Sequence, residues 1–178
     1  MTCPDASPDA SSAMPDAVGD GAVERHRRLI SALPRAEAFA HPAGDIGCIE
    51  THSSSVLLTG DEVYKLKKPL DLGFLNFSTL ERRHAACEEE LRLNRRTAPE
   101  LYLDVVPVTG SVEAPRIGGE AEGEGGAIEY AVRMRRFPQD ALLGEVLQRG
   151  QLEAGVLDRL ARHVADFHAA AAVAAPGG

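Results

Sequence analysis

Val63-Tyr64-Lys65-Leu66-Lys67 constrains this chain more than any other stretch, because it admits one kind of element and then demands a partner for it. The run alternates with the period of a strand, so Val63, Lys65 and Lys67 point to one side and Tyr64 and Leu66 to the other. Lysines on one face of an apolar strand need solvent or a carboxylate, since an unpaired buried ammonium is very costly. One reading is an edge strand whose lysines face water and discourage pairing with other chains. The other is a lysine held by an acidic partner elsewhere in the fold.

A candidate partner follows. Ser78-Thr79-Leu80-Glu81 reads as a capping box, with the Ser78 hydroxyl as the cap and Glu81 reaching back, and nothing breaks a helix from there to about Arg96. On a 3.6-residue period Leu80, Ala86, Cys87, Leu91 and Leu93 share a broad arc, and Glu90 falls inside it. Glu88 and Glu89 lie at or beyond its edges. A carboxylate within a packed arc implies a positive partner, so Lys65 with Glu90 is the expected pair and Lys67 and Glu89 are the nearest alternatives. A surface acidic cluster on a long helix is the competing reading.

Several runs resemble a known family. They are Ile49-Glu50-Thr51-His52-Ser53-Ser54-Ser55-Val56-Leu57-Leu58-Thr59-Gly60, Tyr64-Lys65-Leu66-Lys67-Lys68-Pro69, Gly73-Phe74-Leu75-Asn76-Phe77-Ser78, Cys87-Glu88-Glu89-Glu90-Leu91, and Tyr130-Ala131-Val132-Arg133-Met134-Arg135-Arg136-Phe137-Pro138. Together they resemble the amino-terminal lobe of the aminoglycoside phosphotransferase family, within the wider kinase-like fold. More narrowly, they resemble bacterial proteins that join such a domain to a carboxy-terminal P-loop domain. The resemblance implies an α+β fold: a curved antiparallel sheet of about five strands with one long packed helix, followed by the first helices of a second lobe. It implies ATP as cofactor, with Lys65 on the phosphates and Glu90 orienting it. It also places Met134 beside the adenine, Val63 above it, and the Thr51-His52-Ser53 link where kinases carry a glycine-rich loop. That link holds no glycine, so the close backbone approach that glycine allows is lost, although hydroxyl and N–H groups can still cup phosphate.

The rest of the chain fits round this centre. Residues 1–21 mix Asp, Pro, Ser, Ala and Gly without a positive charge, which reads as a disordered acidic tail and not as a secretory signal. Ala22 to Leu33 reads as a short helix, and Leu101 to Val108 and Ala127 to Met134 as further strands. Gly110 to Gly126 reads as a flexible hairpin excursion, and the apolar link from Pro69 to Phe77 as packing under the helix. Residues 22–138 make the expected lobe and 139–178 the start of the next, with helices over Ala141 to Leu147 and Leu152 to Ala172.

Composition limits the classes of function. With 19 Lys and Arg against 27 Asp and Glu, the net charge of -8 argues against nucleic acid as a partner. Cys3, Cys48 and Cys87 are too few for a disulfide scaffold, and the six histidines show no metal-ligand spacing. No window approaches the length of a membrane span, and a cytoplasmic location follows as the expectation. In the resembled family a His-Gly-Asp run and a magnesium-binding aspartate follow the last long helix. Here Asp158 and Asp166 lie within that helix, and the sequence continues to Gly178 without such a run. The expected function is therefore the incomplete ATP-binding portion of a small-molecule kinase, inactive alone, with magnesium ligands absent. The alternatives are a non-catalytic nucleotide-binding or regulatory module, or a split kinase completed by a second lobe or partner chain.

Overall fold

In a computed structural model, residues 19–118 and 126–172 are described. The expected acidic tail lies outside them up to residue 18, and Asp20 and Gly21, assigned to it above, are already helical. The chain divides into two compact units, residues 1–136 and 137–178.

The first unit is built on a six-stranded antiparallel sheet in the order β1-β2-β3-β6-β4-β5. Its strands are β1 (Gly47–Glu50), β2 (Ser54–Leu58), β3 (Glu62–Lys67), β4 (Tyr102–Gly110), β5 (Pro115–Ile117) and β6 (Glu129–Arg135). The lysine strand β3 is interior, paired with β2 through Val56↔Lys65 and with β6 through Lys65↔Val132. An edge role for it is thereby excluded. β5 is the additional strand, and it lies inside the segment expected to be a flexible excursion. Three residues led by a proline suit an edge, where a missing N–H leaves no ladder bond unmade. Residues 119–125 of that excursion lie outside the described set.

Helices cover the two faces. α1 (Asp20–Ala32) buries Leu29 and Ile30, joined by Leu33 and Phe39, against Leu57, Tyr64, Leu66 and Ala131. The register pairs Leu57 with Tyr64 and Leu66 with Ala131, so these side chains share one face of the sheet. α2 (Leu80–Asn94) packs on the opposite face, against β6 and β4. The alternation expected for residues 63–67 therefore holds, with Tyr64 and Leu66 toward α1 and the two lysines toward α2.

The cap of α2 differs from the expected one. Thr79 is the N-cap, its hydroxyl accepting from the Arg82 N–H at 3.3 Å, while the Ser78 hydroxyl donates to Asn76 Oδ1 at 2.7 Å. Adjacent hydroxyl residues both satisfy the capping pattern, and the Asn76 side chain decides between them. The link before α2 is also only half as expected. Phe77 is buried, but Phe74 at the tip of the Leu72–Leu75 turn is 88% exposed.

The second unit carries a 3-10 turn at Gln139–Ala141, α3 (Leu143–Gln148) and α4 (Ala154–Ala170). Gly150 takes φ +66° between the helices, a conformation that suits glycine. Neither α3 nor α4 contains a buried residue.

Candidate functional site

Glu90 is the centre of the site. It sits on the stripe of α2 that meets the sheet, formed by Leu80, Arg83, Cys87, Glu90 and Asn94 at alternating steps of three and four. Its Oε1 accepts from Lys65 Nζ at 2.8 Å, and its Oε2 accepts from Lys67 Nζ. The expected pair is thus present, and Lys67, read as an alternative, joins it on the same carboxylate. Glu89 instead pairs with Arg92 on the outer surface of the helix, and the exposed Glu88 lies 3.4 Å from His84, whose ring stacks on Tyr130.

The two lysines are not equivalent. The Lys67 side chain is 8% exposed, and its ammonium lies 5.4 Å from the centroid of the Phe77 ring, within the range of a cation–π contact. Lys65 keeps 28% of its side chain in contact with solvent. Burial opposes ionisation of Glu90, but hydrogen bonds from Lys65 and Lys67 outweigh it and hold the carboxyl below its ordinary range. A carboxyl so held stays ionised and is a poor proton acceptor. Two ammonium groups against one carboxylate leave a single positive charge in excess, and Lys65 carries it to the surface.

Val63 and Met134 are cross-strand partners on the face that bears Lys65. Tyr102 pairs with Met134 in turn, and its hydroxyl is pushed up by burial and then by the Glu90 charge. Tyr102 went unnoticed in the sequence, since an aromatic residue opening a strand signals only core. The structure therefore gathers Lys65, Glu90, Val63 and Met134 on one face.

Thr51, His52 and Ser53 lie at the end of β3 where Lys67 and Lys68 stand. They form a tight hairpin closed by Thr51 N–H to the Ser54 carbonyl at 2.9 Å. The Thr51 hydroxyl donates to the Ser54 carbonyl and accepts from its N–H. Lys68 anchors the turn from β3, its Nζ donating to the Thr51 carbonyl at 2.6 Å and its N–H to the Ser53 carbonyl at 2.9 Å. The Thr51 side chain is thus turned onto its own hairpin, and His52 is exposed.

A second buried ion pair supports the first. Arg83 reaches Glu129 through Nε at 2.9 Å and donates to the Phe77 carbonyl at 3.1 Å. Burial raises the Glu129 carboxyl, with Arg83 opposing. This contact fixes the rotation of α2 and with it the position of Glu90. Among the described residues no group of three or more His, Cys, Asp or Glu could hold a metal ion, and no helix is long and apolar enough to cross a membrane.

Fold and site together define an α+β protein with a part-buried, net-positive lysine–glutamate cluster between sheet and helix. The chain is 35% identical over 132 residues to curated proteins of Mycobacterium bovis and Mycobacterium tuberculosis, each described as an uncharacterized protein. The match covers 72% of this chain and 24% of each relative, so the chain spans about a quarter of the length of the curated relatives it matches. No family model matches it, and no solved structure does so at a significant level.

Proposed function

We propose that residues 22–138 form a nucleotide-phosphate-binding lobe of the aminoglycoside phosphotransferase type, in which Lys65 receives the phosphates of ATP and Glu90 orients it. The observation that carries this reading is the Lys65–Glu90–Lys67 cluster. A buried carboxylate neutralises one ammonium, and the excess charge sits on the lysine that solvent reaches. Kinase-like lobes place a lysine on the third strand and its glutamate on the helix that follows, and Lys65 on β3 with Glu90 on α2 agrees with that arrangement. Val63, 6% exposed, and the half-buried Met134 form the apolar floor beside the lysine over which a purine ring would lie. When bound, ATP would supply the transferable phosphoryl group.

Phosphoryl transfer also requires a positioned base and carboxylates for magnesium. Glu90, engaged by two ammonium groups, does not serve as either. The reading assigns both tasks to segments outside this chain, either a following lobe or a partner chain, and it leaves the lobe a binder rather than a complete kinase. The much greater length of the mycobacterial relatives is consistent with that. Calorimetric titration of ATP, with and without Mg²⁺, tests the assignment. Lys65→Ala should weaken binding at least tenfold, about 1.4 kcal/mol. Equal affinity in the variant would overturn the assignment.

A further inference from the structure

Away from the lysine cluster, on the α1 side of the sheet, a groove of about 320 Å³ opens between α1 and the turn joining β4 to β5. Glu24, Arg27, Arg28 and Ser31 recur at helical spacing, and Arg35 follows just past the helix end, so one polar stripe lines the groove. Val112 and Glu113, from the turn, form the facing wall. Three guanidinium groups thus face two carboxylates, an excess of one positive charge in a chain whose net charge is -8.

Among the described residues the arginines make few bonds. Arg27 donates to Glu24 at 2.7 Å, Arg28 to the Glu113 carboxylate, and Arg35 to the Glu113 backbone carbonyl at 3.3 Å. Each guanidinium offers five N–H donors, and among the described residues each spends one of them on the bonds named; the side chains of Arg27 and Arg28 are 69% and 58% exposed, so their other donors face solvent that an anion can displace. Holding the turn against α1 engages Arg28 and Arg35, while Arg27, paired with Glu24 on the same stripe, adds a third guanidinium to the rim.

We propose that this groove binds a small phosphate-bearing anion, with Arg28 and Arg35 as its principal ligands and Glu113 as an internal competitor for the Arg28 fork. Planar guanidinium groups bind phosphate oxygens in pairs, and the volume suits a phosphorylated small molecule or a pyrophosphate. This inference does not rest on the nucleotide reading, because Lys65 faces the opposite side of the sheet.

Inorganic pyrophosphate is the probe, titrated calorimetrically into the full chain at constant ionic strength, with orthophosphate and sulfate as comparisons. Saturable binding is expected in the Lys65→Ala background, where the proposed nucleotide site cannot contribute. Adding Arg28→Ala with Arg35→Ala should weaken it at least tenfold, whereas adding Arg92→Ala, on the outer surface of α2, should leave it within twofold. Glu113→Gln, which removes the competing charge, should tighten it severalfold, an effect that a purely structural role for Glu113 does not produce. Three results would overturn the proposal: heat that never saturates, affinity indifferent to the groove arginine substitutions, or an equal loss in Arg92→Ala. If the double variant fails to fold, the Glu113→Gln titration decides alone.

Discussion

Glu90 holds two ammonium groups, so its removal costs more than the loss of any neighbouring glutamate. Glu90→Ala strands Lys67, which is almost wholly buried, and half-strands Lys65. Breaking a buried pair costs about 3–5 kcal/mol, and the solvent that still reaches Lys65 places this case near the lower figure. Glu88, 65% exposed and beside His84, should cost under about 1 kcal/mol. Denaturant midpoints of the two alanine variants measure the difference, and equal midpoints would contradict the geometry. This pair was legible in the sequence because Lys65 and Glu90 each break a local pattern in the same sense, a charge set among apolar positions. Arg83 was not legible. An arginine on a helix reads as surface, and the carboxylate that buries it, Glu129, stands 46 residues away in the chain.

Among the elements, α1 depends on a buried histidine as well as on its leucines. His26 Nε2 lies 3.0 Å from the Ser55 hydroxyl, which donates to Glu50 at 3.1 Å, so the imidazole donates through Nε2. Its Nδ1 is buried without a partner among the described residues. Burial, aided by the charges of Arg83 and Lys68, lowers its pKa to about 4. The unfolded imidazole titrates near 6.5, and the unfolded chain binds the extra proton between these values. The contribution of neutral His26 is therefore complete above about pH 6.5 and lost as pH falls to 4, on the order of 3 kcal/mol. Unfolding free energies measured across that window should decline, and His26→Leu should decline less steeply. Parallel curves would refute the role. Helix α2 shows where periodicity misleads. Leu93, placed in the packed arc from sequence, is 41% exposed, because the stripe is set by Arg83 and Glu90, which a hydrophobic count ignores. The short strand β5 was hidden for a different reason, glycine and proline around it outweighing three residues of strand.

At the scale of the whole molecule the apolar surface is unevenly distributed. The first unit closes its core between two helices, whereas α3 and α4 leave Leu147, Leu157, Leu160 and Val164 between 41% and 60% exposed. Leu157, Leu160 and Val164 recur on one face of α4, and an exposed apolar stripe of this kind favours association. Sedimentation should show a mass that rises with concentration, and Leu157→Glu with Leu160→Glu should suppress the rise. A wild-type chain that stays monomeric across the range would contradict this. The sequence pattern did identify an apolar stripe on the last helix. What it could not show is the extent of exposure, which depends on what else packs there.

Cys87 turns the contact between α2 and the sheet into something that can be timed. Its thiol is fully buried, and burial above all pushes its pKa up to about 12, so an alkylating reagent finds neither access nor thiolate while α2 is seated. Modification must wait for the helix to lift, and its rate counts those openings in the manner of hydrogen exchange. Peptide mass spectrometry assigns the label to Cys87. If Glu90 anchors the helix with about 3 kcal/mol, Glu90→Ala should speed alkylation of Cys87 roughly a hundredfold. A bound phosphate ligand at Lys65 should leave its mark on the same clock, slower or faster according to whether it tightens the helix or draws the lysine away.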